Sequence, residues 1–174
     1  MDFIEVVKKR FSIRSFKDKK IDDETILELL ELAIRAPSAG NIQPWEFIIV
    51  KDREQKEKLA HAALNQRFVA ECSHLIVACA NQELSSRVYG PRGWDLYSIQ
   101  DVSAAIMILL LGITNAGLGA CWVGAFRESM VREILKIPQG IKPVALIPIG
   151  YPHDFVGKGP GRKSLKEKLH YEIY

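Results

Sequence analysis

Two arginines and a serine alternate along a short stretch near the start of the chain, which reads Arg10-Phe11-Ser12-Ile13-Arg14. In an extended backbone Arg10, Ser12 and Arg14 share one face, and the apolar residues between them point into the core. Two guanidinium groups and a hydroxyl in this arrangement suit a dianionic phosphate. A solvated basic edge would have the same residues, so the segment alone leaves both interpretations open.

A turn of small and polar residues is predicted at 36–45, with the sequence APSAGNIQPW. Its small residues let the backbone approach a flat ligand closely. Ser38, Asn41 and Gln43 add hydrogen-bond donors and acceptors. A ligand with an apolar face and a polar edge, such as a flavin ring, needs this mixture. An ordinary turn with a polar cap is the alternative.

A run of glycines and apolar residues occupies 117–126, with the sequence GLGACWVGAF. It has some likeness to a dinucleotide-binding fingerprint, but that fingerprint follows a strand and opens a helix. These glycines instead follow a predicted helix and open a predicted strand. We therefore expect a strand that ends at Gly124, where the backbone can lie against a planar cofactor and offer N–H groups to its redox nitrogen.

A fourth motif, GPGRK at 159–163, offers the cations of Arg162 and Lys163 to a phosphate. A basic tail on a solvated surface has the same composition. The four histidines are scattered along the chain. We find no Ser-His-Asp set, carboxylate pair or metal-binding cluster in the sequence, so we assign no catalytic side chain and expect no metal.

The elements that must position these motifs follow from hydrophobic periodicity and from helix start and stop signals. Helices are predicted at 3–10, 22–36, 52–64, 95–115 and 128–135, and strands at 45–50, 75–80, 118–123 and 143–149. Residues 10–16 are expected to be extended. Helices alternating with strands predict an α/β or α+β layer fold with one main sheet, and no linker divides the chain.

A polar loop is predicted at 81–94, and its length is typical of a binding lid. The aromatic residues Tyr89, Trp94 and Tyr97 in and beside this loop could shape the site that such a lid covers. Simple packing of the three rings is the alternative.

The bulk composition is that of an ordinary globular domain, with 174 residues, 48% of them hydrophobic and 26% charged. A net charge of only +3 argues against nucleic acid as a partner. Cys72, Cys79 and Cys121 form no CxxC pair, which favours a reducing compartment. The first residues do not have the composition of a signal peptide. We therefore expect a cytoplasmic protein.

The stretch 104–126 contains no charged residue and is long enough to cross a membrane. It is interrupted by Asn115-Ala116-Gly117-Leu118-Gly119, which is typical of a helix end followed by a new element. We therefore predict a buried central helix and no membrane association. A helix that is apolar on all sides needs more cover than a small monomer offers, which indicates a partner subunit.

Taken together, the order and spacing of the motifs resemble the nitroreductase flavoprotein family. The resemblance rests on RFSIRSF, APSAGNIQPW, GLGACWVG, Asp101 in QDVSAA and the Arg162-Lys163 tail, and it spans essentially the whole chain. It implies a single three-layer α+β domain with a central, mostly antiparallel sheet flanked by helices. It also implies an intertwined homodimer with FMN at the subunit interface, in which the tail at 160–174 reaches the partner.

The resemblance further implies the FMN contacts of this chain. Arg10, Ser12 and Arg14 would bind the phosphate, ribityl and pyrimidine side. The other subunit would contribute the contacts of the turn, namely Pro37, Ser38, Ala39, Asn41 and Gln43. The ring face and the N5 edge would be lined by Trp122, Val123 and Gly124. Arg162 and Lys163 would close on the phosphate, and Asn65 would contact the pyrimidine, although Phe68 replaces a lysine that larger members have nearby.

The implied reaction is ping-pong: NADH or NADPH gives hydride to FMN and leaves, and a small-molecule acceptor such as a nitroaromatic or a quinone then receives the electrons. Two alternatives remain open. One is an FMN enzyme of the same fold that dehalogenates its substrate or fragments the flavin. The other is a flavin-binding protein without catalysis. The sequence distinguishes neither NADH from NADPH nor one acceptor from another.

Overall fold

Helices and strands alternate along the chain in the computed structural model, which describes residues 1–153 and 161–174. Within these ranges the helices are α1 (Phe3–Lys9), α2 (Asp23–Ala33), α3 (Arg53–Ala62), α4 (Phe68–Glu71), α5 (Gln82–Arg92), α6 (Ser98–Asn115) and α7 (Glu128–Leu135). The strands are β1 (Trp45–Val50), β2 (His74–Asn81), β3 (Gly119–Ala120) and β4 (Ile141–Gly150). Gly159 and Pro160 of the predicted basic motif lie outside the described residues.

The four strands of the described chain form one sheet in the order β1-β2-β4-β3, and each neighbouring pair is antiparallel. Trp45 lies opposite Ala80, and His74 lies opposite Ile149. The antiparallel sheet confirms the prediction of an α+β fold. Because β2 is central and almost wholly buried, it has an unbroken apolar sequence where a half-exposed strand would alternate.

Successive residues of β2 pack on opposite faces of the sheet, and this divides the core into two layers. Ile76 and Ala78 belong to a cluster shared with α2 and α6. Leu75 and Val77 belong to a second cluster shared with α3, α4 and α7. The two clusters lie on opposite faces because successive side chains of a strand point to opposite sides. The domain therefore has three layers, helix, sheet and helix, as predicted.

The central helix α6 packs on the sheet through residues at helical spacing, among them Val102, Ile106, Leu109 and Ile113, all at most 1% exposed. In the described chain, the stretch from Gln82 to Asn115 meets the length and hydropathy of a membrane-spanning helix. Because the inward face of α6 is the core of the domain, we interpret it as the buried central helix that the sequence predicts.

The prediction of a polar loop at 81–94 is wrong. This segment is α5, followed by a π-helical turn at Gly93–Tyr97. The side chain of Asn81 accepts a hydrogen bond from the backbone N–H of Leu84 (2.9 Å) and so begins the helix. The buried polar side chain of Gln82 donates to the carbonyl of Trp94 (2.9 Å). Polar residues that bond internally look like a solvated loop in sequence, which explains the error.

Several predicted boundaries also need correction. Helix α2 ends at Ala33 and not at residue 36, because Arg35 and Ala36 donate to carbonyls three residues back and tighten the last turn before Pro37. Helix α6 begins at Ser98 and not at 95, since the π-helical turn precedes it. The strand predicted at 118–123 is reduced to β3 and an isolated bridge between Val123 and Leu146.

The three cysteines are free and buried in the described structure. Burial raises the pKa of the Cys72 thiol to about 11 and that of Cys79 to about 12. These two side chains are therefore neutral thiols near pH 7 and pack as small apolar groups.

Candidate functional site

The arginine segment runs alongside β3. The backbone N–H of Ile13 donates to the carbonyl of Ala120 (2.8 Å), and the Ile13 side chain is buried. Ser12 and Arg14, on either side of it, are exposed, while Arg10 is half-buried. The alternation predicted for this segment is therefore present, with the hydroxyl of Ser12 and the guanidinium of Arg14 available to a ligand.

Glycine is required where this segment meets the sheet. A Cβ atom on Gly119 would lie 2.8–2.9 Å from three carbon atoms of Ile13. A Cβ atom on Gly150 would lie 2.7–3.0 Å from Phe16, the next buried residue along the segment. Any side chain at these positions would push the arginine segment away from the sheet edge.

We expect Gly119→Ala to destabilise the fold by about 1–3 kcal/mol, because Ile13 must move to admit the new methyl group. Differential scanning calorimetry measures the loss. Gly161→Ala is the matched control, since a Cβ atom there meets nothing within 4 Å. Equal melting temperatures for the two variants would show that the arginine segment can move away from residue 119 without loss of stability.

The glycine-rich segment continues from β3 past the arginine segment. Val123 is buried and exchanges backbone hydrogen bonds of 2.9 and 3.0 Å with Leu146 of β4. Trp122 and Gly124, on either side of it, are exposed. A Cβ atom on Gly124 would meet only the Trp122 Nε1 atom, at 3.9 Å, so its backbone faces open space. The structure thus joins the first and third sequence motifs through the bond between Ile13 and Ala120.

The turn at 36–45 is locked by its own side chains. The Ser38 hydroxyl accepts a hydrogen bond from the backbone N–H of Gln43 (2.9 Å), and the Gln43 amide donates to the Asn41 side chain (3.1 Å). Gly40, Asn41 and Gln43 have φ values of +55°, +57° and +55°. Left-handed backbone is uncommon for a residue such as glutamine and persists only where the surroundings hold it.

Two neighbouring elements hold the turn. The backbone N–H of Ala39 donates to the Asp101 Oδ1 atom at the start of α6 (3.1 Å). On the other side, the Tyr89 hydroxyl of α5 lies only 2.5 Å from where a Cβ atom of Gly40 would be. The turn is therefore fixed by α5 and α6, whereas the arginine segment is fixed by β3 and β4.

Asp101 is the site residue whose role the sequence did not reveal. It is 7% exposed, and its Oδ2 atom is buried without a hydrogen-bond partner in the described structure. Burial raises the pKa of this carboxyl group, and the bond from Ala39 partly opposes that effect. A lone acidic residue near the start of an apolar helix was the available signal, but its partner lies 62 residues away in sequence.

The remaining predicted contacts are less closely grouped. Pro37 is exposed, and Arg162 and Lys163 are exposed residues of the C-terminal tail. Asn65 is exposed, adopts a left-handed φ of +61° and bonds to the ring of His61 (2.8 Å).

A cleft of about 1080 Å³ opens elsewhere, between residues 16–21, α3 and the start of β2. Among the predicted FMN contacts, all of which lie in the described chain, Asn65 is the one that lines it. Its floor includes buried Lys56, whose ammonium donates to the carbonyls of Cys72 and Ser73, and His74, which bonds to Asp23 (3.0 Å). These groups already have partners. The cleft is separate from the two motif groups, because its lining in the described chain includes no residue of 10–14, 36–45 or 117–126.

The molecule is thus an α+β protein whose exposed polar motifs form two groups, one at the sheet edge and one in a rigid turn. It belongs to the nitroreductase family, whose family model matches residues 7–67 and 60–151.

The alignments with similar proteins cover most of the chain. An Archaeoglobus fulgidus protein with the provisional name NADH dehydrogenase/NAD(P)H nitroreductase is 38% identical over 155 residues, 87% of this chain and 86% of that protein. The FMN reductase (NADPH) of Bacillus subtilis is 28% identical over 182 residues, 97% of this chain and 72% of that protein. A crystal structure of a nitroreductase family protein from Clostridium novyi NT has a TM-score of 0.80 and 36% identity, with 88% of this chain and 87% of that chain covered.

Proposed function

We propose that the protein is a cytoplasmic, FMN-dependent oxidoreductase that takes hydride from NADH or NADPH and passes electrons to a nitroaromatic, a quinone or a similar acceptor. The observation that carries the proposal is the backbone hydrogen bond between Ile13 and Ala120. It places the exposed side chains of the arginine segment next to the exposed backbone of the glycine-rich segment. The Ser12 and Arg14 side chains supply a hydroxyl and a guanidinium, and the bare backbone at Gly124 lies on the same sheet edge.

The residues present fit FMN. A guanidinium fork and a hydroxyl match the oxygens of a phosphate monoester, and Arg14 is exposed for that contact. A planar ring needs a surface without protruding side chains, and Gly124 faces open space. The turn adds a row of polar groups at Ser38, Asn41 and Gln43 whose geometry is set before any ligand arrives.

We propose a homodimer, in which the turn of one chain completes the site on the sheet edge of the other. Large apolar side chains are exposed on three neighbouring helices, α1, α2 and α6, namely Phe3, Ile4, Val7, Leu27, Leu32 and Met107. In a monomer these side chains would lie in water, and their exposure supports the proposed interface on these helices. A site divided between two chains would also explain why the arginine segment and the glycine-rich segment are joined within one chain and the turn at 36–45 is held by other elements.

In the proposed enzyme the cofactor carries out the redox chemistry, and the protein positions the cofactor and the substrates. When bound, FMN supplies the capacity to accept a hydride and to release electrons to an acceptor. Arg14 and Ser12 would hold the phosphate end, and the open backbone at Gly124 would leave room for nicotinamide and acceptor to bind in turn. Binding of nicotinamide and acceptor in turn at the same place would give a ping-pong sequence.

The direct test is spectroscopic. Purified protein reconstituted with FMN should be yellow, and its flavin absorbance should disappear on anaerobic addition of NADH or NADPH and return with an acceptor. A colourless protein that ignores added FMN contradicts the proposal. Protein that binds FMN and never bleaches would be a flavin-binding protein without catalysis. Release of iodide from iodinated phenols, with no turnover of quinones or nitroaromatics, would indicate a dehalogenase.

We expect Arg14→Ala to raise the FMN dissociation constant by about 10- to 100-fold, because a phosphate oxygen loses a charge-assisted hydrogen bond. Equilibrium dialysis or flavin fluorescence measures the constant. Arg53→Ala removes the same charge from an arginine of α3 whose side chain is 89% exposed, and it should change little. Equal constants for the two variants would remove Arg14 from the site.

A further inference from the structure

The second half of α5 and the π-helical turn carry a cluster of aromatic rings and one arginine beside the rigid turn. Tyr89 packs edge-on against Tyr97, with 5.2 Å between ring centroids. The hydroxyl of Tyr89 also lies beside the turn at 36–45, at 2.5 Å from where a Cβ atom of Gly40 would be. Trp94, between the two tyrosines in sequence, is 38% exposed. The cluster therefore lies next to the turn that the proposed function assigns to the flavin.

Arg92 is held in this cluster by Tyr97. Its Nε atom donates to the Tyr97 hydroxyl (2.8 Å), and its guanidinium lies 5.2 Å from the centroid of the Tyr97 ring. Within the described part of the chain, no carboxylate lies within ion-pair distance of Arg92, and its two terminal amino groups carry no hydrogen bond. Arg87 on the same helix contrasts with it, because its guanidinium is paired with Glu83 (2.8 Å).

The backbone that carries Arg92 is rigid. Both Gln82 and Ser98 donate to the carbonyl of Trp94, at 2.9 Å each. Gly93 packs so closely on α5 that a Cβ atom there would lie 2.4 Å from the Ser85 carbonyl oxygen. An arginine fixed at Nε on a rigid turn offers its two terminal amino groups as a fork at low entropic cost, which suits a carboxylate or a sulfonate.

We propose that Arg92 makes the acceptor site selective for planar aromatic acceptors that carry a negative charge, such as nitrobenzoates and quinone sulfonates. The proposal rests on the proposed function and names its substrate class. The aromatic part of the acceptor packs on the exposed ring of Trp94 and on the half-buried rings of Tyr89 and Tyr97, and its anionic group binds the terminal amino groups of Arg92. Neutral acceptors of the same shape bind through the rings alone.

The test compares two acceptors of matched shape, 4-nitrobenzoate and 4-nitrobenzamide, on the FMN-loaded protein. We expect a higher kcat/KM for the benzoate than for the benzamide. Arg92→Gln should lower the benzoate value by about 5- to 30-fold, because it removes a partly exposed charge-assisted hydrogen bond. The benzamide value should change less than about twofold. Arg87→Gln removes the same charge from the same helix and should preserve the preference.

A binding measurement without turnover separates this inference from the proposed function. Each compound is titrated into the oxidised FMN-loaded protein without nicotinamide, and the dissociation constants should show the same preference and the same loss in Arg92→Gln. Equal losses for both compounds, or an equal effect of Arg87→Gln, would overturn the role of Arg92 while leaving the oxidoreductase activity intact. A change confined to the KM of NADPH, absent for NADH, would also overturn it, because Arg92 would then bind the 2′-phosphate.

Discussion

Asp101→Ala should raise the FMN dissociation constant by about 10- to 100-fold, although Asp101 does not belong to the predicted set of cofactor contacts. The substitution leaves the Ala39 N–H without its acceptor and frees a turn that has three left-handed residues. An unpaired, part-buried amide costs about 1–3 kcal/mol, and a loosened turn places its polar groups less well. Fluorescence titration with FMN gives the constant.

Asp101→Asn is the matched control, because its side-chain carbonyl can still accept the bond from Ala39. We expect it to bind FMN within about threefold of the natural protein. If the alanine variant binds FMN as tightly as the asparagine variant does, the bond between Asp101 and Ala39 does not position the turn.

The same carboxyl group should make stability depend on pH. Burial raises its pKa in the folded protein above the ordinary value of 3.8. Because the fold favours the protonated carboxyl group, the contribution of this group to the free energy of unfolding is fully present below the unfolded-state pKa. It is lost as the pH rises through the raised folded-state pKa. The free energy of unfolding of Asp101→Asn, relative to the natural protein, should therefore increase across that interval. Urea denaturation at several pH values measures it, and a constant difference would contradict the prediction.

Met107→Glu should convert the proposed dimer into a monomer and abolish tight FMN binding. Met107 is 39% exposed on α6, which packs against α1, and Phe3 and Ile4 of α1 are also exposed. In a symmetric dimer the change would introduce two carboxylates into an apolar contact, and each buried unpaired charge costs several kcal/mol. We expect the dimer dissociation constant to rise by at least about 100-fold. Light scattering with absorbance detection reports mass and bound flavin together.

Two controls accompany this variant. Met107→Leu keeps the position apolar and should remain dimeric. Ser129→Glu adds the same charge on α7, which packs on the opposite face of the sheet, and should also remain dimeric. A Met107→Glu protein that elutes as a dimer with FMN bound would place the interface on another surface.

The sequence predicted the elements whose apolar spacing is strong. The core positions of α6 recur with helical period, and β2 has the unbroken apolar run of a central strand, so tertiary packing only reinforced the local pattern. Helix α5 could not be predicted in the same way. Its buried residues include Gln82 and Ser85, and Gly90 with a φ of +56° interrupts it, so neither periodicity nor composition indicated a helix.

The candidate site also has parts that the sequence predicts and parts that it does not. The exposure of Ser12 and Arg14 around buried Ile13 follows from the two-residue period of extended backbone, which sequence alone contains. The bond from Ala39 to Asp101 and the close approach of the Tyr89 hydroxyl to the Cβ position of Gly40 bring together residues far apart in the chain. Such contacts depend on how α5 and α6 pack, and no local pattern encodes that packing.

The left-handed conformations of Asn41 and Gln43 have a consequence for how quickly a ligand can be captured. Backbone of this kind is unfavourable outside its setting, and here it is imposed during folding by Ser38, α5 and α6. We therefore expect that a ligand which binds this turn meets backbone that is already ordered, so that association requires no slow ordering of the chain. As part of the proposed site, the turn at 36–45 would be a preformed binding surface, and we expect residence times of different ligands to depend on their contacts with it.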